Sequence, residues 1–206
     1  MSVSSKTRLG ILLSGRGSNF EVIARNVLAG RLACEIGFVF SNKPNAPGLL
    51  RAQELGLPCG SIDSAGVERA AFDMQVVDLL RAHKVDWVCL AGYMRFLSGQ
   101  FVRQFEGRIL NIHPSLLPAF PGLDAQYQAL AHGAKIAGCT VHLVDDNLDS
   151  GPILLQSAVP ILDADTVETL SARILIEEHR IYSEAIAWML RGNYRFEGRR
   201  VIKTGS

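Results

Sequence analysis

Apolar residues occur in short runs that alternate with amphipathic segments, a pattern typical of repeated strand–helix units. The first apolar run, residues 8–13, ends at a Ser- and Gly-rich segment, and residues 20–29 then have helical spacing with Gly30 placed to stop the helix. On the same reasoning, further strands are predicted at 35–40, near 58–62, and at 85–90, 108–112, 138–144 and 153–161. Further helices are predicted from the turn at 42–45 to about residue 55, at roughly 67–83, near 98–105, at 125–132 and over about 166–191.

This order of elements predicts an α/β fold. Consecutive β-α-β units of this length require parallel pairing with helices on both faces of the sheet. The strands at 138–144 and 153–161 are separated by a turn rich in Asp and Asn, which predicts an antiparallel hairpin. We therefore expect a Rossmann-like, three-layer α/β/α fold with a mostly parallel sheet and this hairpin in its C-terminal part. With no repeat or linker, residues 1–206 are expected to form one domain with an ordered core at about 8–190.

Composition agrees with a globular chain and gives little sign of a nucleic-acid partner. Of the 206 residues, 48% are hydrophobic, which is ample for one core. The formal net charge is only +1, so no general electrostatic footprint for nucleic acid is expected. A local basic cluster near the C-terminus is interpreted as a solvated tail. Its members are Arg195, Arg199, Arg200 and Lys203.

The expected location is the cytoplasm. The first eight residues are polar and lack the apolar region of a signal peptide. No apolar run approaches the ~18 residues that suggest a membrane span. The cysteines have no CxxC spacing, which favours reduced and mostly buried thiols. They are Cys34, Cys59, Cys89 and Cys139.

Ligands of open α/β sheets bind beyond the C-terminal ends of the strands, which draws attention to the loops 14–19, 111–122 and 145–152. The first loop, Ser-Gly-Arg-Gly-Ser-Asn, joins a strand directly to a helix. Its N–H groups at Gly17, Ser18 and Asn19 are expected to point outward and bind an anion, with phosphate the obvious guest. The alternative is a tight turn in which Ser18 or Asn19 only caps the helix.

The second loop is preceded by a polar pair. Asn111 and His113 lie two residues apart in a predicted strand, so they project on the same side, and Pro114 then ends the strand. An amide donor beside an imidazole suits a carbonyl reaction, in which one group stabilises an oxyanion and the other handles protons. A purely structural role for a buried histidine is the alternative.

The third loop supplies a candidate carboxylate. Asp145 and Asp146 are interpreted as turn formers, whereas Asp149 is expected to meet His113 across the cleft. A carboxylate near an imidazole favours its protonated form and fixes its orientation. The remaining histidines, His83, His132, His142 and His179, lack metal-ligand spacing, and Cys139 has no obvious base partner. Metal and covalent catalysis are therefore not expected.

Taken together, these motifs resemble the folate-dependent phosphoribosylglycinamide formyltransferase family, in family order and with family-like spacing from about residue 8 to 190. The run at 111–118, Asn-Ile-His-Pro-Ser-Leu-Leu-Pro, is highly specific for folate formyl chemistry. The Gly-Ser-Asn loop narrows the resemblance to the branch of the family that acts on a ribonucleotide. The matching segments are Gly17-Ser18-Asn19, Ser41-Asn42-Lys43, residues 91–95, residues 111–118 and Asp149-Ser150-Gly151-Pro152.

The resemblance implies the formyltransferase fold and a role for each matched residue. Asn111, His113 and Asp149 would be catalytic. The ribonucleotide would be bound by Gly17, Ser18, Asn19 and Glu178. The folate would be bound by Arg69, Met94, Arg95, Phe96, Leu97 and Asn111. The chain departs from the family at 121–126, where Asp124 or Gln126 stands in a stretch in which relatives often carry a histidine.

The resemblance also implies the reaction. We expect the chain to transfer a formyl group from the co-substrate 10-formyltetrahydrofolate to the amine of 5'-phosphoribosylglycinamide, a step of purine biosynthesis. The enzyme is expected to be a monomer or homodimer, and to need no metal, nucleic acid or membrane. A formyltetrahydrofolate hydrolase is the nearest alternative, although such enzymes carry an N-terminal regulatory domain and the first strand here starts near residue 8. A methionyl-tRNA formyltransferase would need a further C-terminal domain, and a non-catalytic nucleotide-binding domain would leave Asn111, His113 and Asp149 unexplained.

Overall fold

Seven strands form the main sheet in a computed structural model that describes residues 6–63 and 66–205. Their order across the sheet is β3-β2-β1-β4-β5-β6-β7. They are β1 (Thr7–Leu13), β2 (Cys34–Ser41), β3 (Cys59–Ser61), β4 (Trp87–Leu90), β5 (Ile109–His113), β6 (Ile136–Leu143) and β7 (Ile153–Pro160). The helices are α1 (Ser18–Leu28), α2 (Pro47–Glu54), α3 (Arg69–Ala82), α4 (Gly99–Gln104), α5 (Ala125–Ala131) and α6 (Val167–Arg191).

The chain divides into two compact units, Met1–Leu110 and Asn111–Ser206. In the first unit, β1 lies between β2 and β4 and pairs with both in parallel. Five of its seven residues are buried, which is why it reads in sequence as an unbroken apolar run rather than an alternating one. Parallel pairing aligns the ends of β1 and β4, so the loops that follow both strands leave the same edge of the sheet.

In the second unit, β6 and β7 pair antiparallel. The pairing shifts register between Val141 and His142, where His142 opposes Ile153. The long helix α6 packs on both strands and begins with a reciprocal cap, in which Thr166 and Thr169 each accept the backbone N–H of the other. This packing fixes the framework from which the loop 145–152 projects.

A second, two-stranded sheet follows α6, formed by β8 (Tyr194–Glu197) and β9 (Arg200–Lys203) in antiparallel pairing. The four basic residues interpreted as a solvated tail are therefore exposed, as expected, but they lie in an ordered hairpin and not in an irregular tail. The rings of Tyr194 and Phe196 pack edge-on with centroids 5.7 Å apart, and the ammonium of Lys203 lies 5.7 Å from the centre of the Trp188 ring. These contacts tie the hairpin to itself and to α6.

The predicted fold class is confirmed, since the main sheet is parallel except for its β6–β7 pair. Each strand and helix predicted from periodicity is present, with ends that differ by a few residues. That the whole chain is a single domain stays a prediction. No helix within the described ranges is long and apolar enough to cross a membrane.

Candidate active site

Strand β5 carries the polar pair. Asn111 is half-buried and His113 is 5% exposed, and both lie in β5, whose other residues Ile109, Leu110 and Ile112 are buried apolar side chains. Pro114 follows at once and has no N–H to continue the ladder. The strand therefore delivers two polar side chains at its C-terminal end, two residues apart and on one side.

The ring of His113 lies between two oxygen acceptors. Its Nδ1 is 3.4 Å from Oδ2 of Asp149, and its Nε2 is 2.9 Å from the carbonyl oxygen of Phe120. A neutral imidazole has only one N–H, so it can satisfy only one of these acceptors. The Phe120 carbonyl can only accept, so Nε2 carries a proton, and the Asp149 carboxylate lies beside Nδ1.

Asp149 is held in place by its own backbone and by a neighbouring loop. Its φ of 47° is left-handed, which is uncommon for a residue with a side chain. The N–H of Gly122 donates to its Oδ2 over 2.9 Å, and only 9% of the side chain is exposed. Two residues after Asp149, the backbone of Gly151 packs tightly against that of Leu143. A Cβ added at Gly151 would stand 1.8 Å from the Leu143 carbonyl oxygen. The loop therefore presents a buried carboxylate in one fixed direction.

His142 belongs to the same group of side chains, although the sequence analysis set it aside. Its Nδ1 lies 2.8 Å from the carbonyl oxygen of Leu143 and must donate to it, so Nε2 is an acceptor. Nε2 is 3.1 Å from Nδ2 of Asn111 and 3.7 Å from Oδ1 of Asp149. Burial lowers the pKa of His142 from its ordinary value of 6.5, and the Leu143 carbonyl and Asp149 oppose this only in part. A neutral His142 thus fixes which way the Asn111 amide faces.

The signal that pointed to His142 was weak. Alternation in β6 puts His142 on the same face as Thr140. The same pattern is found for any histidine buried in a strand, so it does not indicate a role in the site. Its proximity to Asn111 and Asp149 depends on the β6–β7 pairing and on the register shift at this point.

In the first unit, the loop after β1 has the shape expected of an anion site. Gly17 precedes α1 with a left-handed φ of 73°, and a Cβ there would meet Leu13 at 3.1 Å and the Gly48 backbone at 3.3 Å. Glycine is therefore required. No side chain caps α1, so the alternative of a Ser18 or Asn19 side-chain cap is not what the structure has. The first N–H groups of a helix have no partner within it and attract anions.

The loop after β4 presents apolar side chains to solvent from a firmly held backbone. Met94 is 66% exposed and Phe96 55% exposed. The Met94 N–H donates to Ser14 Oγ over 2.8 Å, and the Ser98 N–H donates to Oδ2 of the buried Asp73 over 2.6 Å. Between these anchors, the Arg95 guanidinium stacks 4.5 Å above the Phe72 ring, while Leu97 is half-buried. The exposed side chains at 94–97 form an apolar platform of the kind that accepts flat apolar ligands.

The other predicted site residues lie on helices. Arg69 is the first residue of α3 and is exposed, whereas Glu178 lies in α6 and is 8% exposed. Asp124, in the stretch that departs from the family, is exposed and precedes α5 with a φ of 54°. The structural contribution of that stretch to the His113 group is the Gly122 N–H.

Cysteine chemistry has no support at this site. All four cysteines are free thiols. Burial raises the pKa of the Cys139 thiol to about 12, with a smaller contribution from Glu178, so the thiol stays protonated and unreactive. Among the described residues, no group of three or more His, Cys, Asp and Glu side chains is arranged to hold a metal ion.

The arrangement in the second unit suits a reaction at a carbonyl. Asn111 has a second N–H to offer, because one is taken by His142. Beside it stands the His113 ring, whose Nδ1 lies 3.4 Å from the Asp149 carboxylate. An amide donor and a positive charge stabilise an oxyanion, and the pair supplies an acid and a base.

Comparison with known proteins agrees with this chemistry. Residues 7–186 match the family described as formyl transferase. The chain is 44% identical to the bovine trifunctional purine biosynthetic protein adenosine-3 over 92% of its own length, but it spans only 19% of that longer protein. It is 40% identical to phosphoribosylglycinamide formyltransferase of Bacillus subtilis, covering 92% of this chain and 98% of that one.

A solved structure extends the likeness to the fold. Glycinamide ribonucleotide transformylase 1 from Symbiobacterium toebii superposes with a TM-score of 0.95 at 51% identity, covering 97% of this chain and 95% of that one. The resemblance inferred from the motifs is confirmed. With a family match over most of the chain and relatives above 40% identity, the chain belongs to the phosphoribosylglycinamide formyltransferases of the formyl transferase family.

Proposed function

We propose that the chain transfers the formyl group of 10-formyltetrahydrofolate to the amine of 5'-phosphoribosylglycinamide, a step of purine biosynthesis. The observation that carries the proposal is a group of four side chains, half-buried Asn111, buried His113 and His142, and Asp149 with its side chain 9% exposed, which contact one another over 3.1–3.7 Å. Relatives of matching length have this activity in their names. The reaction would take place in the cytoplasm, on a monomer or homodimer, without metal, nucleic acid or membrane.

The chemistry requires one bond to form and one to break. The neutral substrate amine attacks the formyl carbon, and the resulting tetrahedral carbon carries an oxyanion. Its bond to N10 of the folate then breaks, and the proton lost by the attacking amine ends on N10. An acid and a base must therefore exchange one proton within a single active site.

Asn111 would stabilise the oxyanion. His142 accepts one N–H of the Asn111 amide, so the nitrogen side of the amide is fixed and its second N–H is available to the oxyanion. His113 would add electrostatic stabilisation of the oxyanion, with the Asp149 carboxylate 3.4 Å from its Nδ1. Losing one oxyanion donor typically costs about 10²–10³ in rate.

Asp149 would also move the proton. Its carboxylate is buried and contacts His113, and one water molecule would suffice to extend its reach to the attacking amine. The ribonucleotide phosphate would bind at Gly17, Ser18 and Asn19, with Glu178 contacting the same substrate. The folate would be bound by Arg69 and by Met94, Arg95, Phe96 and Leu97.

The test is absorbance-monitored deformylation of 10-formyltetrahydrofolate, with and without 5'-phosphoribosylglycinamide. Turnover that strictly requires the ribonucleotide supports the transferase, and the formylated ribonucleotide should appear in equal amount. Equal turnover without the ribonucleotide would identify a hydrolase, in which water replaces the amine, and would overturn the proposal.

A further inference from the structure

Ser14 joins the two ligand loops of the first unit through one buried hydroxyl. It is 4% exposed and opens the loop 14–19 at the end of β1. Its Oγ donates to Oδ1 of Asn42 over 2.6 Å and accepts the N–H of Met94 over 2.8 Å. Its own N–H donates to the carbonyl oxygen of Gly92 over 3.0 Å. Three hydrogen bonds thus converge on one residue.

The direction of these bonds is fixed by the single hydroxyl proton. The Met94 N–H can only donate, so the Ser14 hydroxyl must donate its proton to Asn42. The distance of 2.6 Å from Ser14 Oγ to Asn42 Oδ1 agrees with this direction. A shift of the loop 14–19 therefore moves an acceptor on which the backbone of Met94 depends. Leaving that N–H without an acceptor in a part-buried place is unfavourable, and this couples the positions of the two loops.

The position of Met94 makes this link relevant to binding. Met94 begins the apolar platform, whereas Gly17 to Asn19 form the anion loop three residues beyond Ser14. Asp73 anchors the far end of the platform at Ser98, so the near end depends on Ser14. Both loops are thus connected through the hydrogen bonds of one buried residue, Ser14.

We propose that Ser14 is a positioning residue that couples the two substrate sites, so that an anion in the loop 14–19 tightens binding of the folate at the 94–97 platform. This inference rests on the proposed function for the identity of the two ligands. Linkage makes the effect reciprocal, and coupling of this kind is typically about 5- to 150-fold. An expected coupling of about 5-fold lies at the low end of that range, because a single hydrogen bond carries it.

The experiment uses the full chain and two readouts. Folic acid affinity is measured by fluorescence with and without saturating ribose 5-phosphate, and the backbone amide of Met94 is followed by NMR as inorganic phosphate is added. The variants are Ser14→Ala and Ser14→Cys, the second keeping the side-chain volume with a weaker hydrogen bond. The matched control is Ser41→Ala, which also removes a buried hydroxyl, one that accepts the Lys43 N–H within its own turn.

The wild-type protein and Ser41→Ala should bind folic acid about 5-fold more tightly with ribose 5-phosphate present, and phosphate should shift the Met94 amide signal. Both Ser14 variants should lose the affinity gain and most of the shift while binding each ligand alone. Equal affinities with and without ribose 5-phosphate in wild type, or full coupling in folded Ser14→Ala, would overturn the inference. Formyl transfer without coupling overturns only this inference, and coupling without transfer overturns only the proposed function.

Discussion

The carboxylate of Asp149 lies beside two histidines whose hydrogen-bond partners differ. His113 faces the Phe120 carbonyl with Nε2 and the Asp149 carboxylate with Nδ1. His142 donates from one nitrogen and accepts from Asn111 at the other, and burial lowers its pKa, which favours the neutral ring. This difference agrees with the proposed roles, in which His113 stabilises charge and His142 orients Asn111.

The first prediction concerns the charge of Asp149. Asp149→Asn keeps the size of the side chain but removes the carboxylate that pairs with His113. We expect kcat to fall by on the order of 10²-fold or more, with folate affinity nearly unchanged. Steady-state kinetics and folate binding measure the two effects. Asp146→Asn, in the same turn and exposed, is the control and should keep its activity. Full activity in Asp149→Asn would rule out the assigned role.

The second prediction concerns the pKa of His142. In the unfolded chain this group titrates near 6.5, and in the folded protein its pKa is lower. As the pH falls below about 6.5, the unfolded state therefore takes up a proton that the folded state does not, and the free energy of unfolding decreases. Urea unfolding at about pH 7 and about pH 5.5 should show this loss, and His142→Gln should show a smaller one.

The exposed His132 supplies the matched control for that experiment. His132→Gln should keep the wild-type difference between the two pH values, because the His132 side chain lies at the surface. An unchanged difference in His142→Gln would mean that His142 does not carry the effect.

At this scale the sequence predicted Asn111 and His113 but not His142. The strand spacing and Pro114 are local features, so the polar pair could be placed at a strand end without coordinates. The position of His142 depends on Asn111, 31 residues away, and on the irregular pairing of β6 with β7, and its lowered pKa comes first from burial. Neither is encoded in a local pattern.

Among the elements, the loop between β4 and α4 shows how a buried charge can shape a binding surface. Asp73 is 1% exposed and lies on α3, and its Oδ2 accepts the Ser98 N–H at the start of α4. Ser98 in turn caps α4 by accepting the Phe101 N–H. One carboxylate thus sets where the apolar platform ends and where the next helix begins.

The third prediction tests that carboxylate. Asp73→Ala leaves the Ser98 N–H without its acceptor, which should lower the free energy of unfolding by about 1–3 kcal/mol. Because the platform loses an anchor, KM for the folate should rise more than KM for the ribonucleotide. Urea unfolding and steady-state kinetics provide the measurements. Asp78→Ala, exposed on the same helix, should change neither. Equal increases in both KM values would indicate a general loss of structure instead.

Periodicity predicted the buried elements well and missed the exposed hairpin. The strands β1 and β2 are almost wholly buried, so their apolar runs stand out from the chain around them. The hairpin of β8 and β9 has four-residue strands that are largely exposed and carry arginines. Its strand pairing is supported by the Tyr194–Phe196 ring contact and by Lys203 on Trp188, which no short-range hydropathy pattern reports.

For the molecule as a whole, the hairpin matters because it contacts the loop that carries Asp149. A guanidinium N–H of Arg199 donates to the carbonyl oxygen of Ser150, the residue after Asp149. The family match ends at residue 186, before the hairpin starts. A segment outside the matched part of the chain thus supports the backbone that presents the proposed proton-transfer group.

The fourth prediction follows from this contact. Arg199→Ala should lower kcat several-fold, by about 1 kcal/mol in activation free energy, with KM values and melting temperature nearly unchanged. Arg195→Ala is the control in the same hairpin, since Arg195 forms a surface ion pair with exposed Glu197, which contributes little. A kcat in Arg199→Ala equal to that of the control would show that Asp149 needs no support from the hairpin.

The crowding at Gly151 bears on how tolerance to mutation should be interpreted. Any side chain there would occupy the place of the Leu143 carbonyl oxygen, so every substitution must displace the loop that carries Asp149. A saturation-mutagenesis map scored by growth without purines would therefore mark position 151 as intolerant as position 113, although glycine performs no chemistry. The exposed Leu148, three residues earlier, would accept most replacements. In this loop, intolerance to substitution would show which residues hold the Asp149 carboxylate in position. It would not by itself identify the groups that react.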